Sequence, residues 1–213
     1  MDIAIVDYKM SNLHSVHSAC KSVGIDAIIT SKKSDIINAK CIILPGVGAF
    51  GPAMRSISSL GIDEMIIEFI KTGKLFVGIC LGMQLLFEKS FEFQVNDGLG
   101  ILKGDVVKID ADEESNYYKV PQIGWNKILK SSVNWDNTIL SKNSNEDFMY
   151  FVHSYIVKPK NSNIILTETE YGGTRFCSSL QHENIFACQF HPEKSGPDGL
   201  LIYQSIKEKI ESM

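Results

Sequence analysis

Short unbroken apolar runs alternate with stretches of helical periodicity through the first half of this chain. Ile3 to Val6 is a run of four apolar residues, the signature of a strand buried on both faces. Asn12 stands at a helix-capping position; Leu13, Val16, Cys20 and Val23 follow at helical spacing, and Gly24 closes the segment. Residues 25–30 (IDAIIT) and 40–44 (KCIIL) read as two more strands, the second stopped by Pro45-Gly46. Residues 62–72 place Ile62, Met65, Ile66, Phe69 and Ile70 on one side of a helix that ends at Gly73. Leu75 to Ile79 is a fourth strand and residues 81–89 a further helix. This alternation predicts an α/β fold, a mostly parallel doubly wound sheet with flanking helices. Functional groups gather at the carboxyl ends of such strands. Asp7, Pro45-Gly46 and Cys80 occupy three of those ends.

The second half has a different texture. Residues 101–109, 126–129, 148–157 and 164–170 read as strands, and 174–181 with 185–190 as a hairpin around His182-Glu183-Asn184. A final helix runs from about Asp198 to Ile210. The prediction is a smaller antiparallel sheet region, with polar loops at 110–116 and 131–147. No linker interrupts the chain, so residues 1–213 are expected to form one domain.

Composition narrows the function classes. With 44% apolar residues the chain holds enough material for a full core, which excludes disorder as its main description. The net charge is −4, and Arg55 and Arg175 are the only arginines, so no nucleic-acid partner is expected. No apolar run approaches the ~18–20 residues that cross a bilayer. Met1-Asp2-Ile3 lacks the basic start of a signal peptide. A cytoplasmic location without membrane attachment is therefore expected. The cysteines, Cys20, Cys41, Cys80, Cys177 and Cys188, are odd in number and lack C-x-x-C spacing. Four of them read as small buried hydrophobes, and neither a disulfide framework nor a zinc ribbon is expected.

Cys80 stands apart. Gly78-Ile79-Cys80-Leu81-Gly82 follows a strand and opens a helix, the layout of a nucleophile elbow with cysteine at its tip. Free N–H groups and the positive end of the following helix would favour the thiolate, and the Leu81 N–H would help to hold an oxyanion. A buried cysteine on an ordinary βα turn would carry the same two glycines.

Among the histidines, His14 and His17 lie three apart, but no third ligand has metal-site spacing, and no metal is predicted. His191 follows an apolar strand in Gln189-Phe190-His191-Pro192-Glu193. Pro192 biases it to an extended conformation, in which His191 and Glu193 share a side. The carboxylate would fix the imidazole tautomer, leaving the other ring nitrogen for Cys80. A surface carboxylate after a proline turn is the plainer reading of Glu193.

Gly78-Ile79-Cys80-Leu81-Gly82-Met83-Gln84 together with His191-Pro192-Glu193 resembles the class I (triad) glutamine amidotransferases, with their flavodoxin-like fold. Pro45-Gly46-Val47-Gly48-Ala49-Phe50, Pro121-Gln122-Ile123-Gly124-Trp125-Asn126, Tyr150-Phe151-Val152-His153-Ser154-Tyr155 and His191-Pro192-Glu193-Lys194-Ser195 resemble, within that class, the glutaminase subunits of imidazole glycerol phosphate synthases. The resemblance implies Cys80 as nucleophile, His191 as base and Glu193 as its orienter. It implies an oxyanion hole at Val47, Gly48 and Leu81. It also implies a glutamine pocket lined by Gly46, Gln84, His153, Ser154 and Tyr155. Gln84, one helical turn beyond Cys80, would face the same side. No cofactor is implied. The implied partner is a (β/α)8 cyclase that receives the ammonia, with Asn12, Gln122, Trp125, Tyr150 and Lys194 at or near the interface; Trp125 and Tyr150 also read as core aromatics.

One segment departs from that pattern. The family usually reads D-Y-G-x-G-N near the first strand, and this chain reads Asp7-Tyr8-Lys9-Met10-Ser11-Asn12. Glycine there suggests close approach or positive φ. The departure bears on the partner-facing surface, where a paralogue serving surface-sugar amidination would be expected to differ; a stand-alone thiol hydrolase of similar fold is a separate alternative.

Overall fold

The computed structural model describes residues 1–10, 12–110 and 118–212. Its parallel half is built from β1 (Ile3–Val6), β2 (Ala27–Thr30), β3 (Cys41–Gly46), β4 (Leu75–Cys80) and β14 (Ile185–Cys188). They lie in the order β2-β1-β3-β4-β14, every neighbouring pair parallel. Helices α1 (Leu13–Ser22) and α6 (Gly196–Glu211) cover one face, and α2 (Lys33–Asn38), α3 (Phe50–Ser59) and α4 (Ile62–Lys71) cover the other.

Alternation along each strand explains the two layers. Ile3, Ile5, Cys41 and Ile43 pack toward α1 and α6 with Val16, Cys20, Ile202 and Ile206. Ala4, Val6, Ile42 and Leu44 point the other way, against Ile36, Phe50, Ile57, Ile66 and Phe69. Both faces are dry, which is why these strands read as unbroken apolar runs.

The antiparallel region continues the same sheet. Beyond β14 come β13 (Thr174–His182), β11 (Tyr155–Pro159), β7 (Leu102–Lys108), β5 (Phe87–Ser90) and β6 (Asn96–Asp97). Strand β12 (Ile165–Tyr171) pairs with β13 and with β9 (Leu129–Lys130). Strands β8 (Gln122–Lys127) and β10 (Phe148–His153) form a separate antiparallel ribbon.

Several expectations need correction. Helix α5 covers only Leu81–Gln84, and the segment expected to continue it to residue 89 turns into β5. Pro45-Gly46 does not stop β3; Pro45 pairs with Ile79 and Gly46 with Cys80. The run 148–157 is two strands broken at Ser154, and the ribbon strand starts at Gln122, not 126. Helices α2 and α3 were not foreseen. Asn12 sits at the head of α1 without capping it, since its side chain accepts from Ser15 Oγ at 3.1 Å. The loop expected at 110–116 lies, apart from Asp110, outside the described residues, as does Ser11 of the departing segment. All five cysteines are buried and free. No described helix is long and apolar enough to cross a membrane.

Candidate active site

Cys80 ends β4 with φ 54° and ψ −110°, a left-handed backbone that an L side chain adopts only when its surroundings impose it. Gly82 supplies the constraint. A Cβ there would sit 1.8 Å from the Leu44 carbonyl oxygen, so the turn is locked backbone against backbone onto β3. The thiol is thereby raised above the strand end. With one turn of helix behind it, α5 offers little of the dipole expected to favour the thiolate.

The charge partner comes from beyond β14. His191 and Glu193 are both buried, with the imidazole Nδ1 2.8 Å from the Glu193 Oε1. They do not meet along an extended segment. Pro192–Lys194 forms a 3-10 turn that folds the carboxylate back onto the ring. Ser195 locks this arrangement: its hydroxyl donates to the His191 carbonyl at 2.6 Å and accepts the Tyr150 N–H at 3.0 Å. The His191 N–H in turn donates to the Tyr150 carbonyl at 2.9 Å.

His191 Nε2 is buried and has no hydrogen-bond partner at rest. It faces the Cys80 thiol closely enough for the two groups to feel each other's charge. Burial opposes a charged ring, but the Cys80 sulfur and the Glu193 carboxylate outweigh it and push His191 up to about 10. Nearby His153 behaves oppositely. Burial holds it down to about 4, and its neutral Nδ1–H donates to the Tyr155 carbonyl at 3.0 Å.

A cavity of 240 Å³ opens beside the sulfur. Its wall includes Val47, Gly48, Leu81, Gln84, His153, Ser154 and Tyr155, so the structure gathers these expected residues around Cys80. Gly46 does not reach it; it is buried behind, against the Tyr8 hydroxyl and Leu81. Val47 borders the cavity, but its N–H donates to the Met10 carbonyl. Gln84 spends both amide protons inside the protein, on the Tyr155 carbonyl at 3.0 Å and Gln189 Oε1 at 2.9 Å. Only its carbonyl oxygen remains for a ligand.

Four contributors escaped the sequence reading. Gln189 Nε2 donates to the Cys80 sulfur at 3.5 Å, linking it to Gln84. Glu92 is the only carboxylate among the lining residues, and its Oε2 accepts the Phe50 N–H at 2.6 Å. Pro121 and Val152 complete the wall, and the Cys80 thiol lies 3.9 Å from the Val152 carbonyl oxygen. For Gln189 the clue was its place two residues before His191; Glu92 offered none.

The expected partner-facing residues divide. Trp125 is 55% exposed, which excludes a core role, and its ring meets the Tyr150 ring edge-on at 6.1 Å. The Lys194 ammonium lies 5.8 Å from the Tyr150 ring centre. Gln122 is different, with only 2% exposed, so it supports the ribbon from beneath and offers no surface contact. Asn12 is half-buried at the start of α1. His14 and His17 form no metal pair, as the His17 Nε2 is turned onto the Ala27 carbonyl at 3.1 Å.

A thiol on a strained elbow, a buried imidazole–carboxylate pair facing it and a small polar cavity are the groups that activated-thiol chemistry needs. The family model for class-I glutamine amidotransferases matches residues 4–204, and the chain belongs to that family. Within it, the chain is 42% identical to the imidazole glycerol phosphate synthase subunit HisH of Aquifex aeolicus, over 100% of this chain and 99% of the relative. It is 46% identical to the subunit of that name from Rhodopirellula baltica, over 95% of each. Among solved structures, a glutamine amidotransferase superposes with TM-score 0.72 at 16% identity, covering 98% of both chains. The structure of PurLQS from Thermotoga maritima gives TM-score 0.72 at 20% identity, again with 98% of both covered. These last two speak to the fold alone.

Proposed function

We propose that this chain, acting as one unit over residues 1–213, is a cytoplasmic glutaminase subunit of imidazole glycerol phosphate synthase. It hydrolyses L-glutamine to glutamate and passes the ammonia to a (β/α)8 cyclase in histidine biosynthesis. Full-length similarity to named subunits of that synthase supports the pathway. The observation that carries the chemistry is the buried His191–Glu193 pair facing a sulfur held at positive φ.

In this reading glutamine enters the cavity with its side-chain carbonyl toward the Leu81 amide, and the Val47/Gly48 segment adds a second donor only once the Val47 N–H leaves the Met10 carbonyl. Glu92 meets its ammonium end, and Gln84 accepts from its amide. The Cys80 proton is held on His191, and the thiolate attacks the amide carbon. The imidazolium, held by Glu193, returns that proton to the departing nitrogen, and ammonia leaves a γ-glutamyl thioester. Water, deprotonated by the same imidazole, cleaves the thioester to glutamate and restores the thiol.

The test is Cys80→Ala in the assembled synthase. Glutamine-dependent turnover is expected to vanish while synthesis from added ammonia persists. Retained glutamine hydrolysis would refute the nucleophile. A reactive glutamine analogue should label Cys80 and no other cysteine. Co-purification with sugar-modifying enzymes in place of the cyclase would overturn the pathway while leaving the chemistry intact.

A further inference from the structure

Glu193 has two carboxylate oxygens, and the His191 contact uses one. Oε1 takes the Nδ1 proton, while Oε2 is buried with no hydrogen-bond partner. A buried charged oxygen left alone is costly, and such an atom points to a donor close by.

Helix α6 brings that donor. Its Gly199 lies so tightly on the 192–194 turn that a Cβ would come within 2.0 Å of the Pro192 carbonyl oxygen. Tyr203 follows four residues later, on the same face of the helix one turn along. It is fully buried, and its hydroxyl also lacks a partner. Thus two buried oxygens, one carboxylate and one phenol, stand unpaired about the same turn.

Charge supports the match. Burial first, and then the Glu193 carboxylate, raise the phenol well above its ordinary range, so it stays a donor. The other titratable groups facing it are Cys20 from α1 and Cys188 from β14. Burial raises both thiols, Cys20 to about 12, and keeps them neutral. A cleft lined by His14, Ser15, Ser18 and Leu200 reaches Glu193 from the α1 side and gives water access to the turn.

We infer that Tyr203 is a positioning residue, whose hydroxyl donates through one buried water to Glu193 Oε2 and draws part of the carboxylate charge away from Oε1. The consequence falls on His191. With Oε2 engaged, Oε1 holds the imidazolium firmly enough to orient it but loosely enough for its proton to pass to the departing ammonia. This inference rests on the proposed thiol chemistry.

Tyr203→Phe in the full chain with its cyclase partner tests it, because only the hydroxyl is lost. The kcat for glutamine hydrolysis is expected to fall about 10-fold. KM should stay unchanged, and the alkaline limb of the rate profile should move to higher pH as charge returns to Oε1. Unchanged kcat and an unchanged limb would overturn the inference. A fall in kcat that follows only a fall in melting temperature, with the limb fixed, would overturn it too. Cys80→Ala measured alongside separates the two claims: if that variant still hydrolyses glutamine, the proposed chemistry itself fails. A high-resolution crystal structure of the unaltered chain gives a check independent of the variant's folding. A water within hydrogen-bonding distance of both the Tyr203 hydroxyl and Glu193 Oε2 is expected; the hydroxyl turned to another acceptor would refute the role.

Discussion

The Val47 amide donates to the Met10 carbonyl at 3.3 Å, and is thereby turned from the cavity it borders. The Leu81 N–H, first in α5, has no acceptor in its own helix. Under the proposed chemistry a tetrahedral intermediate would therefore meet one fewer donor in this conformation than the wall can supply.

The rate should report that missing donor. The isolated chain is expected to hydrolyse glutamine slowly, and a loaded partner to raise kcat by roughly 10²–10³, the usual worth of one oxyanion donor. KM should change little. Steady-state assays with and without the partner decide the matter, and full activity in the isolated chain would contradict it.

Lys9 adjoins the restraining Met10 carbonyl and sits at φ 69°, held there by its N–H bond to Asp7 Oδ1 at 2.9 Å. A left-handed lysine is strained, whereas glycine is not. Lys9→Gly should stabilise the chain by about 0.5–1 kcal/mol, net of glycine's greater freedom when unfolded. Denaturant titration provides the value; a loss of stability would show that no strain is stored there.

The His191 proton makes stability depend on pH. Its affinity rises from the ordinary 6.5 to about 10 on folding, so the native state holds this proton more tightly than the unfolded chain does. The resulting stabilisation is complete below about pH 6.5 and is lost as pH climbs through about 10. Glu193→Gln removes one source of the shift and should flatten this dependence and move the alkaline activity limb to lower pH. Unfolding free energies across that range, for parent and variant, provide the comparison.

Gly82→Ala tests the elbow. The added methyl group would meet the Leu44 carbonyl oxygen, a backbone atom with no room to yield. A loss of about 3 kcal/mol is expected, together with a displaced Cys80 thiol. A variant that melts with the parent and hydrolyses glutamine normally would show that β3 and the elbow are not locked together.

Trp125 and Ile123, at 55% and 63% exposed, present apolar surface beside Lys194 and Tyr150. Trp125→Ala should weaken partner binding by about 2 kcal/mol, roughly 30-fold. The fold of the isolated chain should be unaffected. Titration calorimetry checks the affinity, and an unaltered Kd would remove Trp125 from the docking surface.

Local pattern carried much of this structure. Ile3 to Val6 and Leu75 to Ile79 declare themselves because both their faces are buried. Gly78, Cys80 and Gly82 declare the elbow because backbone must touch backbone there. Helix α3 escaped because Gly51 and Pro52 look like breakers, although proline fits the first turn of a helix. Gln189 and Glu92 escaped for a different reason. Their contacts, to Cys80 and Phe50, join residues 109 and 42 positions apart, and no periodicity encodes them. The Glu193 contact was foreseen for a partly wrong reason, since a 3-10 turn and not an extended segment delivers it.

The pairing of β14 with β4 carries a consequence for synthesis. Cys188 sits opposite Ile79, one residue before Cys80, and the chain then runs directly on to His191. A polypeptide emerging from the ribosome thus exposes the Cys80 sulfur long before His191 exists. Under the proposed chemistry a half-made chain leaves glutamine untouched, because His191 lies just past β14, the last of the described strands to be translated.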